Sequence, residues 1–224
     1  LGDVYKRQIK NKLTTVQRLE LRNDYFSDGD ALKGVLKADM ENIRATLEKI
    51  NENVFEDVVK SIFEAKRIYI IGLRSSTALS EFLGFYLNII LQNVKVVSYG
   101  ISDVFEQMIN VSEGDLVIGI GFPRYAAKTI DALAFSQDRG AKVVALTDSL
   151  LSPLATKADY TLIAQSNMAS FVDSLVAPLS VINALIIAVG MREKENISNV
   201  FAGLEEIWQN YNVYSYNNRN VADD

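Results

Sequence analysis

The chain has 224 residues, of which 49% are hydrophobic, and a formal net charge of −5 at pH 7. This length allows one large domain with a substantial core, and the negative balance provides no positive field that would draw DNA or an anionic membrane to it. The absence of cysteine and histidine excludes disulfides, thiol catalysis and histidine-based triads, and with them the commonest metal ligands. The composition predicts a soluble globular protein without a metal site, in which carboxylate-only chemistry stays open.

The first fifty residues differ from the rest of the chain. Residues 1–8, LGDVYKRQ, bear no relation to the residues after them, and we interpret them as a possible sequencing or vector scar. Residues 9–30 are polar, mixed in charge and end in the break SDGD, which predicts a linker. One amphipathic helix is then predicted from apolar residues at helical spacing, namely Val35, Leu36, Ile43, Leu47 and Ile50.

From residue 51 the pattern alternates between helices and short strands. Asn51 or Asn53 is a predicted cap for a helix whose inward residues are Phe55, Val58, Val59, Ile62 and Phe63. Strands are predicted at 67–72, 94–100, 115–121, 141–148 and 158–164, with helices at 76–92, around 104–109 and at 125–139. Because the strands are apolar almost throughout, they predict an α/β fold with a five-stranded parallel sheet sandwiched by helices and preceded by N-terminal linker helices.

Two further helices are predicted to close the domain, at about 170–192 and 199–210, before a polar tail at 211–224. The apolar run from Leu175 to Gly190 is shorter than the roughly 20 residues that cross a bilayer, and it contains Pro178 and Asn183. We interpret it as a core helix or a dimer interface, and no membrane association is expected.

Ligands of open parallel sheets bind beyond the carboxyl ends of the strands, which directs attention to three loops: GLRSS (72–76), the stretch IGIGFPRYAAKT (118–129) and TDSLLSP (147–153). In the first loop Gly72 permits a tight turn, and Ser75 and Ser76 supply hydroxyls beside the free N–H groups of a helix start. This suits a phosphate, although an ordinary serine cap is the alternative. The dinucleotide and P-loop glycine patterns are absent, so no nucleotide cofactor is expected.

Together, GLRSS, GFPRY, TDSLLSPLATKAD and SNMASFVDSLVAPLSVINALI resemble the sugar isomerase (SIS) domain of RpiR/MurR-type bacterial transcriptional regulators, over residues 55–192. In that family an N-terminal helix-turn-helix domain binds DNA, and the SIS domain senses a phosphosugar and usually dimerises. The resemblance implies that residues 9–50 follow a missing DNA-binding domain and that 51–210 form the phosphosugar-binding domain. It implies a cytoplasmic protein whose partners are a small anionic sugar derivative, at least one further copy, and DNA only through the missing domain.

The resemblance also implies a phosphosugar site, formed by Gly72, Arg74, Ser75, Ser76, Gly121, Phe122, Arg124, Tyr125, Thr129, Thr147 and Ser149. Ser76 matches the family's phosphate-contacting serine after the first strand. The family motif S-x-S-G-x-T-x-E-T is represented by residues 121–129, GFPRYAAKT. Arg124 therefore stands at the glycine position, and Thr129 is the one hydroxyl retained. Arg124 can pair bidentately with an anion, and Tyr125 can stack or donate a hydrogen bond.

Three functions stay open. The preferred hypothesis is a noncatalytic sensor that passes ligand occupancy to the DNA-binding domain through the helix at 35–50. An alternative is a phosphosugar isomerase with Glu81 or Glu106 as base; against it, the family pattern D-x-H-x-Q reads DVFEQ here, which keeps Asp103 and Gln107 but has Phe105 in place of histidine. The third is a dimerisation domain that has lost ligand binding.

Overall fold

The structure is a computed structural model that describes residues 16–17, 31–100, 102–168 and 171–214. The interpreted scar at 1–8, nearly all of the predicted linker at 9–30 and most of the predicted tail lie outside the described residues.

The described chain begins with helices α1 (Ala31–Leu47) and α2 (Glu52–Glu64). Alternating strands and helices follow: β1 (Ile68–Gly72), α3 (Thr77–Leu91), β2 (Val94–Val97), α4 (Val104–Gln107), β3 (Leu116–Ile120), α5 (Ala127–Asp138), β4 (Lys142–Thr147) and β5 (Tyr160–Ile163). Helices α6 (Val176–Arg192) and α7 (Lys194–Asn210) complete it, and short 3₁₀ turns lie at Arg74–Ser76 and Ala155–Lys157. The five predicted strands are confirmed, each slightly shorter than its apolar run.

The strands form one parallel sheet in the order β2-β1-β3-β4-β5. Ile70 and Ile118 on one face pack with α2, α3 and α6, whereas Ile71 and Val117 on the other pack with α4 and α5. Burial of both faces explains why the strands are apolar almost throughout rather than alternating, and it confirms the predicted α/β sandwich.

Helix α2 begins as predicted, because the Asn51 side chain accepts hydrogen bonds from the backbone N–H groups of Asn53 (3.0 Å) and Val54 (3.2 Å). Its residues Val58 and Ile62 are fully buried in the core, as expected from the sequence.

Helix α6 begins at Val176 and not near residue 170 as predicted. Pro178 therefore lies in the first helical turn, where its missing N–H costs no intrahelical hydrogen bond. Ser174, two residues before the helix, is bonded to α1: its hydroxyl donates to the Asp39 carboxylate at 2.6 Å. Buried residues such as Ile182 and Leu185 confirm the core role of α6.

Helix α7 begins at Lys194, earlier than the predicted 199, because the polar residues of its first turn gave no apolar periodicity. Among the described residues, no single helix is long and apolar enough to span a membrane; Val176–Arg192 and Ile197–Asn210 reach that length only together, and they are bent by 108°.

The amphipathic helix predicted around residues 35–50 is confirmed as α1, but it packs on the domain through polar residues. Asn42 and Thr46 are buried. The Asn42 amide donates to the Asn167 carbonyl at 2.9 Å and accepts from the Asn167 N–H at 3.0 Å, while the Thr46 hydroxyl accepts from the Gln165 N–H at 2.8 Å. The apolar stripe of the helix faces outward instead.

Candidate functional site

A cavity of about 690 Å³ opens at the carboxyl edge of the sheet. It is lined by residues 73–76 after β1, by residues 120–128 at and after the end of β3, and by Tyr99, Phe171 and Asp173. Strands β1 and β3 are neighbours, and the chain proceeds outward from them in opposite directions. This is the point in an open parallel sheet at which two loops part and leave a crevice for a ligand.

The loop after β1 is tightly folded. A side chain at Gly72 would place its Cβ 2.7 Å from the Ser76 carbonyl oxygen, so the turn requires glycine there. Arg74 follows with a left-handed backbone, φ 60°. Ser76 is the residue before α3, but its side chain makes no capping hydrogen bond. Ser76 is therefore not an ordinary serine cap of α3.

The loop after β3 has a similar construction. Arg124 has φ 65°, a conformation that is easy for glycine and costs most other residues roughly 1–3 kcal/mol. The residue before α5 is Ala126, which has no side chain that could cap the helix. The Tyr125 hydroxyl donates to the Asp148 carboxylate at 2.7 Å and so ties this loop to the end of β4.

Two helix N-termini thus meet at the cavity, and neither N-cap residue, Ser76 or Ala126, supplies a side-chain cap. At α3 the preceding 3₁₀ turn uses the N–H groups of Ser76 and Thr77, which donate to the carbonyls of Leu73 and Arg74. Side-chain caps are present at α2 (Asn51) and α4 (Asp103), whereas α6 and α7 also begin without one. First-turn N–H groups and the helix dipole both favour a bound anion.

Three cationic side chains, Arg74, Arg124 and Lys128, line the cavity together with one carboxylate, Asp173. Lys128 forms an ion pair with Asp103. The hydrogen bond from Lys128 lowers the pKa of the Asp103 carboxyl, and the same bond raises the pKa of the Lys128 ammonium. Both groups therefore stay charged at neutral pH, and the cavity is more positive than the chain as a whole.

Three residues of the lining lie outside the loops that the sequence analysis singled out. Tyr99 follows β2, beside β1 at the same sheet edge, so the strand order could have indicated it. Phe171 and Asp173 carried no local signal, because residues 170–192 read as one helix. They reach the cavity because the Ser75 hydroxyl donates to the Asp173 carboxylate at 2.9 Å.

Seven of the eleven residues expected in the site line this cavity: Arg74, Ser75, Ser76, Gly121, Phe122, Arg124 and Tyr125. Gly72, Thr129, Thr147 and Ser149 do not line it. The Thr147 hydroxyl lies 3.3 Å from Asp148, the Ser149 hydroxyl accepts from the Leu151 N–H at 3.2 Å, and the buried Thr129 hydroxyl has no hydrogen-bond partner among the described residues. The loop after β4 acts on the site through Asp148, which holds Tyr125.

The residues considered for catalysis also lie outside the lining. Glu81 is exposed on α3, and Glu106 accepts from the Asp103 N–H at 2.9 Å as part of the α4 cap. Phe105, at the family's histidine position, packs edge-on against Phe135, with ring centroids 5.4 Å apart. Gln107 donates to the Ser98 carbonyl at 2.7 Å. Within the described ranges, no three acidic side chains are grouped as a metal site would require.

The sequence profile described as "SIS domain" matches residues 61–188, more than half of the chain. An uncharacterized HTH-type transcriptional regulator of Haemophilus influenzae is 29% identical over 125 residues, which cover 53% of this chain and 41% of that protein. The chain therefore spans less than half of the length of this curated relative.

Solved structures show the same fold. The sugar isomerase domain of the RpiR transcription factor from Sphaerobacter thermophilus superposes with a TM-score of 0.76 and 31% identity, covering 79% of this chain and 99% of that chain. The Vibrio vulnificus NanR protein complexed with ManNAc-6P gives a TM-score of 0.69 at 19% identity, covering 82% of this chain and 70% of that chain.

Proposed function

Because the chain belongs to the SIS domain family, as an RpiR-type member, we propose that it is the effector-binding part of a transcriptional regulator and binds a small anionic sugar derivative without converting it. The observation that carries this proposal is the cavity at the β1/β3 crevice, where the loops that lead into α3 and α5 meet the side chains of Arg74 and Arg124. Backbone N–H groups and guanidinium groups are the standard partners of a phosphate.

The proposed ligand places its phosphate between the starts of α3 and α5. Ser75 and Ser76 donate hydrogen bonds to it, and Arg74 and Arg124 balance its charge. A volume of about 690 Å³ is ample for a sugar phosphate. NanR, which shares the fold, holds ManNAc-6P in its structure, which supports a phosphosugar as the ligand class.

The proposed role is sensing and not catalysis. Isomerisation requires a base over C1 and C2 of the sugar and a group that assists ring opening. Glu81 and Glu106 lie outside the cavity lining, and the chain has no histidine. Among the lining residues Asp173 is the one carboxylate, and it accepts a hydrogen bond from Ser75. Turnover of fructose 6-phosphate by the purified chain would restore the isomerase alternative.

Occupancy is proposed to reach α1 through Asp148 and Gln165. The Gln165 amide donates to the Asp148 carbonyl at 3.1 Å, and the Gln165 N–H donates to Thr46 on α1 at 2.8 Å. A ligand that moves Tyr125 therefore acts through Asp148 on the docking of α1. Effector coupling of this kind typically amounts to about 1–3 kcal/mol. DNA would be bound by a domain preceding α1, in a cytoplasmic homodimer.

A thermal-shift panel tests the proposal. Fructose 6-phosphate, N-acetylmannosamine 6-phosphate and N-acetylmuramic acid 6-phosphate are compared with the matching unphosphorylated sugars. At least one phosphosugar should raise Tm, and Arg124→Ala should abolish the shift, whereas Arg44→Ala on the exposed face of α1 should preserve it. No shift with any phosphosugar would favour the remaining alternative, a dimerisation domain that has lost its ligand.

A further inference from the structure

Residues 171–175, which directly precede α6, connect the cavity to α1 through two side-chain hydrogen bonds. On the cavity side, the Asp173 carboxylate accepts from the Ser75 hydroxyl at 2.9 Å. On the other side, the Ser174 hydroxyl donates to the Asp39 carboxylate on α1 at 2.6 Å. Because the Cα atoms of consecutive residues are about 3.8 Å apart, a displacement of Asp173 that breaks the first bond also moves Ser174. We call residues 171–175 the strap.

Few other contacts hold the strap. It forms no helix or strand before α6 begins at Val176, and Phe171 and Val172 are 56% and 62% exposed. Among the described residues, the backbone groups of 171–174 form no hydrogen bond with other backbone groups. Leu175 packs partly against the core and fixes the end of the strap. Segments with little burial and few backbone hydrogen bonds open at a low free-energy cost, so the loss of one side-chain bond can displace the strap.

We propose that the strap holds α1 against the domain only while no anion is bound in the cavity, and that a bound phosphate weakens this attachment. The phosphate replaces the Asp173 carboxylate on Ser75, the strap moves away from the cavity wall, and the bond between Ser174 and Asp39 breaks. The inference rests on the proposed function for the contact between the phosphate and Ser75. It adds a sign to that function, because the bound ligand and the docked α1 then oppose each other.

The phosphate and the Asp173 carboxylate cannot both use Ser75. A serine hydroxyl has one hydrogen to donate, and in the structure the Ser75 hydroxyl donates to Asp173. Two anions that compete for this hydroxyl also repel each other at short range. Arg74 and Arg124 line the same cavity, and they attract a phosphate, with a charge of roughly −1.5 to −2 at pH 7, more strongly than a carboxylate with a single charge. The exchange of one anion for the other therefore displaces the strap.

The first half of α1 depends on the strap more than the second half does. The buried residues of the helix, Asn42 and Thr46, lie in its second half, and their hydrogen bonds go to residues 167 and 165, outside the strap. Residues 31–39 include no buried residue, and within the described part of the chain the side-chain hydrogen bond that ties them to the domain is that of Asp39. Displacement of the strap therefore loosens α1 first at the end that would continue into the proposed DNA-binding domain.

Ser174→Ala tests the strap without altering the cavity, because neither Ser174 nor Asp39 lines it. In this variant, displacement of the strap no longer breaks a bond to α1. N-acetylmannosamine 6-phosphate should therefore bind roughly threefold more tightly by titration calorimetry. Ser174→Thr keeps the hydroxyl and should retain the wild-type affinity. Ser180→Ala is the matched control, since it removes a hydroxyl that donates within α6 to the Val176 carbonyl.

Hydrogen exchange gives the reciprocal readout. Inorganic phosphate, compared with sodium chloride at the same ionic strength, should accelerate exchange in residues 31–39 of the wild-type chain and of Ser180→Ala. In Ser174→Ala these residues should exchange faster before phosphate is added, and phosphate should change them little further. Asp173→Ala should accelerate the same residues without any ligand, because the strap then has no anchor at the cavity.

Slower exchange in residues 31–39 with phosphate would overturn the proposed sign. Unchanged affinity and unchanged exchange in Ser174→Ala would overturn the strap, while phosphosugar binding by the same variant would leave the proposed function standing. If no variant bound inorganic phosphate or a phosphosugar, the proposed function would fail, and release by the ligand with it. The ligand-free comparison of Asp173→Ala with the wild-type chain would then still decide whether the strap holds α1, so the two failures are distinguishable.

Discussion

The hydroxyl of Ser75 donates a hydrogen bond of 2.9 Å to the carboxylate of Asp173, which lies 98 residues further along the chain. Both residues line the cavity, so a carboxylate already occupies one of the hydroxyls that we assign to the phosphate. A dianionic phosphate and this carboxylate would repel each other at short range, and we therefore expect the proposed ligand to displace Asp173. Its neighbour Ser174 donates to Asp39 on α1, so such a displacement would act on that helix.

Asp173→Asn should tighten phosphosugar binding by roughly fivefold, equivalent to about 1 kcal/mol, because the variant removes the repulsion and can still accept from Ser75. Titration calorimetry with the phosphosugar that gives the largest thermal shift measures this change. Asp138→Asn, at the far end of α5, should leave the affinity unchanged. Weaker binding by Asp173→Asn would show that the carboxylate contacts the sugar and does not compete with the phosphate.

Arg124→Gly and Arg124→Ala should separate stability from binding. Both remove the guanidinium and should lose phosphosugar binding, but glycine adopts φ 65° without strain whereas alanine does not. The glycine variant should therefore have a Tm about 1–3 °C higher than the alanine variant, from a difference of roughly 0.5–1 kcal/mol. Equal Tm values would contradict a strained backbone at this position, and retained binding in both would remove Arg124 from the site.

Asn42→Ala should loosen α1. The substitution deletes the buried amide of Asn42 and both of its hydrogen bonds to the Asn167 backbone, at a cost of about 1–3 kcal/mol. Hydrogen exchange should accelerate in α1 and at residues 165–167, and the central sheet should keep its protection. Asn183→Ala on the exposed surface of α6 is the matched control. Unchanged exchange in α1 would show that other contacts hold the helix.

Phosphosugar affinity should change between pH 5.5 and 8.5 only as the ligand phosphate takes up its second proton near pH 6. Because the pKa of Asp103 is lowered in the folded chain, this carboxylate contributes fully to folding stability above its ordinary pKa of 3.8. That stabilisation is lost as the pH falls through the folded pKa. Because the pKa of Lys128 is raised in the folded chain, this ammonium contributes fully to folding stability below its ordinary pKa of 10.5. That stabilisation is lost as the pH rises through the folded pKa.

Neither change falls within that window, and the chain has no histidine that could titrate there. A sugar sulfate ester, which keeps a single charge, is the control for calorimetric titrations at several pH values. Its affinity should be constant across the window. A step in the sulfate titration would reveal a protein group with a strongly perturbed pKa.

Much of the fold was predictable because it depends on local patterns. Runs such as RIYIIG and DLVIGIG are apolar at nearly every position, and only a strand covered on both faces needs that. Asn51 was likewise predictable as a cap, since its side chain acts on residues two and three positions later. The two principal loops of the site followed from the rule that ligands lie at the carboxyl ends of parallel strands.

The remainder depends on contacts between residues distant in sequence. The pairs Ser75–Asp173 and Asn42–Asn167 join segments 98 and 125 residues apart, and no local pattern encodes them. Helix α1 shows the same limit: its apolar spacing predicted a helix correctly, but periodicity gives no information on which face meets the domain. The hydrogen bonds of Asn42 and Thr46 decide that, and each needs a partner near residue 166.

This polar attachment of α1 has a thermodynamic consequence. Exposure of apolar surface raises the heat capacity, and exposure of polar surface lowers it. Release of α1 uncovers the amide and hydroxyl groups of Asn42 and Thr46, while its apolar stripe does not face the domain. We therefore expect a small heat-capacity change for release, so that the enthalpy of the docked-to-released equilibrium varies little with temperature. The van't Hoff plot of this equilibrium should then be close to a straight line over the temperatures at which the chain stays folded.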